Sequence, residues 1–309
     1  MKNTNDTHPI LFMLAGFLLS ATALFGQYDP WAHTEETQNF VKIVKKDNYR
    51  SRVDHLHDYV MVEAEGAADP RKVLSQAHAR TLALKTARAL AYEKLMETVE
   101  GLKMTSNTIY KDELLKWSFI VTRVKGMIKN AEVLDENVTD LDDGSVLAKV
   151  RLVYRLHGQG GIMMPVIEEM LRSPAVVKER KSFEVNNPPR KKGNSKYTGV
   201  LLKIRGLKWD PPEFWKIKTP SSQTVWDTRF VDWEYANTEI TYGTWNLFKK
   251  DKKLAKKYGR IGDSPLEIKV KQITEAGNLV ISEKDALKLR QTNNEFLYEN
   301  RIAVIYSKK

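Results

Sequence analysis

The segment His55-Leu56-His57-Asp58 places two imidazoles two residues apart. On an extended backbone both would project to one side, as some metal sites require. A structural metal site takes four ligands, and nothing nearby in sequence supplies the remainder, so the segment is expected to be a solvated loop before the first strand. Asp140, Asp142 and Asp143 with Gly144 hint at a calcium loop. They lack its twelve-residue spacing and its closing acid, which favours a hairpin turn. No metal and no other cofactor is expected.

Two further constellations suit binding rather than catalysis. Trp209, Trp215, Trp226, Trp233 and Trp245 crowd five of the seven tryptophans into one stretch. Each brings ~150–250 Å² to bury, so they read as anchors of a core, as a protein interface, or as an aromatic platform for glycan. The run 246–258 carries Lys249, Lys250, Lys252, Lys253, Lys256 and Lys257 against Asp251 alone, and is expected to be a basic helix facing an anionic partner. Enzyme signatures are missing: there is no phosphate-binding glycine loop, no G-x-S-x-G and no H-E-x-x-H. With Cys at 0, disulfides, thiolate metal sites, cysteine nucleophiles and an N-terminal lipid on cysteine are excluded. The chain is not expected to be an enzyme.

These side chains must be held by ordinary globular structure. The 309 residues are 42% hydrophobic and 29% charged, enough for two domains with their own cores. The formal charge of +11 is lopsided: residues 1–156 carry 21 basic and 21 acidic side chains, and 157–309 carry 29 and 18. A basic half suggests an anionic surface or an acidic protein as partner. The apolar run Ile10–Phe25, followed by Gly26-Gln27, is short for a membrane span and suits a signal peptide over 1–26, with an uncleaved anchor as the alternative. Export would remove nucleic acid from the partners.

Residues 27–57 read as a polar lead-in. Tyr59–Glu65 alternates as a strand, and Arg71 to about Glu100 is a helix, with Leu74, Ala77, Leu84, Ala87, Ala91 and Leu95 inward and Gly101 as cap. A strand is expected over Leu102–Thr108, a helix over Asp112–Lys125 ended by Gly126, and a hairpin from Met127–Glu136 and Ser145–Leu156 around the Asp-Gly turn. A short helix Met163–Leu171 precedes Ser173–Lys196, whose prolines and Arg190-Lys191-Lys192 read as a linker. Beyond it lie strands at Tyr197–Ile204, Phe214–Lys218, Thr224–Asp227, Leu266–Thr274, Leu279–Ile281 and Arg301–Tyr306, with a helix opening at Ser282. The fold class is α+β, in two domains, 58–172 and 197–309, each a largely antiparallel sheet with helices on one face.

The pattern Ala79-Arg80, Ala83, Ala87-Arg88, Ala91-Tyr92, Leu95 and Gly101, then Thr108, Val124-Lys125-Gly126, Ala131, Val133, Asp143-Gly144 and Val150, resembles the amino-terminal domain of the flagellar proteins FlgP and FlgT and related small envelope lipoproteins. It covers about residues 58–156. The resemblance implies a structural protein of the periplasm or outer membrane, in the flagellar cases a ring or disk component. The lipoproteins' anchoring cysteine is absent here, so lipidation does not carry over. The expected partners are copies of the same chain or flagellar and envelope proteins. The alternative is a periplasmic module that binds peptidoglycan or outer-membrane glycan through the basic, Trp-rich half.

Overall fold

A computed structural model describes residues 41–102, 122–187, 197–236, 240–244, 261–291 and 294–307, all within one compact unit, Glu36–Lys309. The fold is α+β, built around two hydrophobic cores. The first core lies between a five-stranded antiparallel sheet and one long helix. Its strands are β1 (Val41–Lys45), β2 (Tyr49–Asp54), β3 (Tyr59–Ala68), β4 (Glu132–Asp140) and β5 (Val146–Arg155), in the order β1-β2-β3-β5-β4. In β5, Val146, Ala148, Val150 and Leu152 are fully buried, while Lys149 and Arg151 lie on the opposite face, as the alternation requires.

β1 and β2 occupy the stretch read as a polar lead-in, which is corrected here. Their apolar pattern is interrupted because Arg52 and Asp54, both fully buried, sit on β2 as an ion pair with Nε–H donating at 2.9 Å. β3 and β5 also exceed the usual strand. Both run ten residues, and all ten are paired.

Helix α1 (Gln76–Glu100) is shorter than expected. Asp69 caps a separate turn of 3-10 helix at Pro70–Lys72, and Ser75 then opens α1 by accepting from the His78 N–H at 3.2 Å. The inward face is corrected accordingly. Ala79, Ala83, Ala87, Ala91, Leu95 and Val99 are buried at four-residue spacing, whereas Leu74 is 92% exposed, Ala77 is exposed and Leu84 only half-buried. Small side chains let the helix approach the sheet so closely that a Cβ on Gly66 of β3 would lie 2.4 Å from the Ala87 nitrogen.

Residues 122–128 are helical, so Gly126 lies inside the helix. Val124 and Ile128, one turn apart, are both buried in the first core and carry the helix past the glycine, and β4 therefore begins five residues later than Met127. The strand expected over Leu102–Thr108 and the start of the second helix lie almost wholly outside the described residues. The hairpin turn is as expected, with Gly144 at φ 83° and its N–H donating to the Leu141 carbonyl at 2.9 Å.

The first part of the expected linker is helical. Helix α2 (Met164–Arg172) ends at Ser173, held extended before Pro174, and Pro174 then occupies the first turn of α3 (Pro174–Asn186). Pro174 therefore separates two helices. Residues 188–196, with Arg190-Lys191-Lys192, lie outside the described residues.

The second core lies among two four-stranded sheets and α4 (Glu283–Gln291). One sheet holds β6 (Val200–Arg205), β9 (Thr241–Thr244), β10 (Leu266–Lys269) and β13 (Ile302–Ser307) in the order β10-β6-β13-β9. Its pairings are parallel, which differs from the antiparallel sheet expected for this half. The other holds β7 (Lys216–Lys218), β8 (Thr224–Asp227), β11 (Gln272–Ile273) and β12 (Leu279–Val280) in the order β11-β12-β7-β8, with only β12 and β7 parallel. Ser282 caps α4, its hydroxyl accepting from the Asp285 N–H at 3.1 Å.

Candidate functional site

The histidine segment is the turn between β2 and β3, exposed at His57 as a loop would be but largely buried at His55 and Asp58. His57 Nδ1 meets Asp54 at 3.0 Å, and His55 Nδ1 lies 3.8 Å from Glu213, a residue of the other half of the chain. Asp58, buried in the turn between β2 and β3, accepts from Arg155 Nε at 3.1 Å. His157, just past β5, contacts Asp58 through Nδ1 at 2.7 Å and Glu213 through Nε2 at 2.9 Å. Burial alone would lower the His157 pKa, but the hydrogen bonds to Asp58 and Glu213 outweigh it and hold the imidazole protonated, pushed up to about 10. Glu213 is held below the usual carboxylate range: burial opposes this, and the charges of His55 and His157 overcome it. The cluster is thus an internal ionic clasp that joins the two halves. Neither His157 nor Glu213 could be singled out from sequence, since their partners lie 99 and 56 positions from His157.

Among the described residues, no group of three or more His, Asp or Glu side chains could hold a metal ion. A cleft of about 730 Å³ opens beside the clasp, lined by Tyr49, Val53, His55, Glu97, Lys208 and Trp209 among others.

The tryptophans separate into two kinds. Trp209, Trp215 and Trp226 are all buried, so the aromatic platform is corrected for these three. Trp215 is the hub, with Trp209 edge-on at 5.5 Å and Trp226 tilted at 4.9 Å between ring centroids. Trp209 and Trp226 donate their indole N–H to the carbonyls of Gly277 and Leu297 at 2.9 and 2.8 Å. They are core anchors because each polar N–H finds a backbone acceptor. Trp233 differs: it is 51% exposed, in a helical turn over Trp233–Ala236. Trp245 and the expected basic helix with Lys249, Lys250, Lys253, Lys256 and Lys257 lie outside the described residues.

Trp233 borders a groove of about 590 Å³ shaped by α2 and α3, with Leu171, Val176 and Val177 as further apolar lining. Val177 is 37% exposed. The groove's acids are already engaged: Glu168 accepts from Arg123 at 2.6 Å and Glu184 from Arg180 at 2.7 Å. Arg229 is likewise spent, on Asp227 and on Glu179 of α3. Arg172 and Lys181 line the groove, are exposed, and have no hydrogen-bond or ion-pair partner among the described residues. The result is an apolar groove with an exposed tryptophan and two uncompensated positive charges. Trp233 was visible as a candidate in the sequence. Arg172 and Lys181 were not: Lys181 fell in the stretch read as a linker and Arg172 just before it, and no second helix was expected there to form a groove with the first.

Residues 199–308 match the family described as Treponema pallidum Tp0624, second domain. The matched span contains β6 through β13 and thus the strands of the second core. No curated protein matches the chain.

Proposed function

We propose that this chain is a non-enzymatic structural protein of the bacterial cell envelope, exported and unlipidated, which works by contact with copies of itself or with other envelope proteins. The resemblance of residues 58–156 to FlgP and FlgT favours a ring or disk component near a flagellum. The observation that carries the reading is the groove at Trp233. An exposed tryptophan and an arginine without a partner among the described residues, set beside aliphatic side chains, are residue types enriched at protein interfaces, and the unpartnered lysine adds positive charge at the groove's edge. The internal clasp and the many cross-strand ion pairs support a stiff building block rather than a mobile catalyst. On the far face of the first sheet, Glu63 of β3 binds Arg50 of β2 and Arg151 of β5, and Arg151 continues to Asp135 of β4.

The test is the mass of the purified protein in solution. Size-exclusion chromatography with light scattering, at micromolar concentration and low salt, should give a multiple of the chain mass. A monomer at every concentration overturns self-assembly. Mass spectrometry of the native protein should find its first residue between Leu24 and Gln27; an intact Met1 would overturn cleavage.

A further inference from the structure

We propose that the groove at Trp233 receives the β4–β5 hairpin tip of a second copy of this chain, with Leu141 entering beside Trp233 and Val177 and Asp142 meeting Arg172 and Lys181. This rests on the self-assembly reading above and names its contact.

Charge and shape select the occupant. A groove with two unpaired cations and apolar walls asks for an apolar side chain with a carboxylate next to it. The hairpin tip Asp140-Leu141-Asp142-Asp143-Gly144 offers that pair. Leu141 is 41% exposed at the tip, although its backbone is fixed by hydrogen bonds to Ser145 and Gly144. Of the three aspartates, Asp140 is held by Arg80 and Gln76, and Asp143 accepts from the backbone and hydroxyl of Ser145. Asp142 is exposed and has no partner among the described residues. The spare carboxylate and the spare cations are thus on the same molecule but unable to meet within it. The tip precedes β5 and α2 follows its far end, and ten strand residues at ~3.3 Å each separate them by roughly 30 Å.

The groove's volume of about 590 Å³ leaves room for a turn of a few residues. The tip is already ordered by its own hydrogen bonds, so little conformational freedom is lost when it docks. Because tip and groove are different surfaces, each copy uses one of each. Such a head-to-tail contact propagates, and produces a closed ring if the rotation closes and a filament if it does not.

The chain has no cysteine, which makes the contact directly addressable. Two full-length variants, Leu141→Cys and Val177→Cys, are tagged differently and mixed under mild oxidation. A disulfide-linked dimer containing one chain of each kind is expected, in clear excess over dimers of either variant alone. In parallel, sedimentation velocity should show Asp142→Lys and Lys181→Asp each weakening association at least about fivefold, since like charges then face each other, with the double variant recovering most of the loss. Circular dichroism keeps the variants comparable in fold. Oligomers that persist with no mixed disulfide and no effect of charge reversal overturn this contact and leave self-assembly standing. A parent protein that is monomeric throughout overturns both.

Discussion

His157 gives the sharpest test of how the two cores are joined. Its ring nitrogens meet Asp58 and Glu213 at 2.7 and 2.9 Å, and its side chain is 18% exposed while that of Glu213 is 3% exposed. Replacing it by glutamine keeps one hydrogen bond and removes the positive charge, leaving two buried carboxylates to face each other. Breaking a buried pair in this way costs ~3–5 kcal/mol. The pH dependence carries the stronger signature. A histidine whose folded pKa is raised, here from the ordinary imidazole value of 6.5 to about 10, contributes stability that is complete below its unfolded value and is lost as pH rises toward the folded one. Between those limits the native state binds one proton more than the unfolded chain, so the contribution falls by ~1.4 kcal/mol per pH unit. Urea unfolding of the parent and of His157→Gln at pH 7, 8 and 9 should therefore show a stability gap that narrows from about 4 to about 1 kcal/mol. Parallel stability curves, with a gap that does not change with pH, would refute the protonated clasp.

Gly66→Ala should lower the thermal midpoint, because the new Cβ would meet backbone atoms of α1 at 2.4 and 2.5 Å; overpacking of this kind costs ~1–3 kcal/mol, and an unchanged midpoint would mean the helix can lift freely from β3. Trp226→Phe should destabilise by ~1–3 kcal/mol through the orphaned Leu297 carbonyl, whereas Trp233→Phe should stay within ~0.5 kcal/mol; chemical denaturation that ranks them the other way would exchange their roles of core and surface. Lys249, Lys253 and Lys256 changed together to Gln should reduce retention in the membrane and cell-wall fraction during a salt wash without altering the fold, and equal retention would leave those lysines as solvated surface.

What the sequence made legible follows from how locally each feature is encoded. β5 alternates cleanly because one of its faces is core and the other is a row of paired charges. α1 is legible from its alanines and its lack of glycine and proline, but not its first residue, since Asp69 and Ser75 are both good caps and only the tertiary approach to β3 selects the second. β1 and β2 were hidden because buried arginine and aspartate neutralise each other there and imitate a polar loop. α3 was hidden by Pro174, which ends one helix and starts another with the same residue. The parallel sheet could not be read at all. β6 pairs with β10 and β13, strands more than sixty positions away, and no periodicity within β6 records its neighbours' direction. The site divides in the same way. The tryptophan cluster was visible by composition, yet which tryptophan faces solvent depends on which elements pack over it, and that is a property of the folded chain.

The position of the groove adds a consequence for assembly. α2 buries Val166 and Ile167 in the first core, and Arg123 ties its Glu168 to the helical stretch 122–128. α3 leans on the second core: Phe183 packs at a tilt against Phe230 with ring centroids 5.0 Å apart, Arg229 binds Glu179, and Arg180 binds Asp232 next to Trp233. The groove walls therefore rest on both cores, so a change in the relation between the cores would change the groove's shape, and the clasp at His157 is one of the contacts that join them. In a head-to-tail assembly every copy repeats the same rotation, so a small spread in that relation accumulates from copy to copy and prevents uniform closure. His157→Gln should consequently broaden the distribution of assembly sizes at pH 7, read by sedimentation velocity at a denaturant-free concentration where the chain remains folded. A distribution as narrow as the parent's would show that the groove keeps its shape without the clasp, and would separate assembly from it.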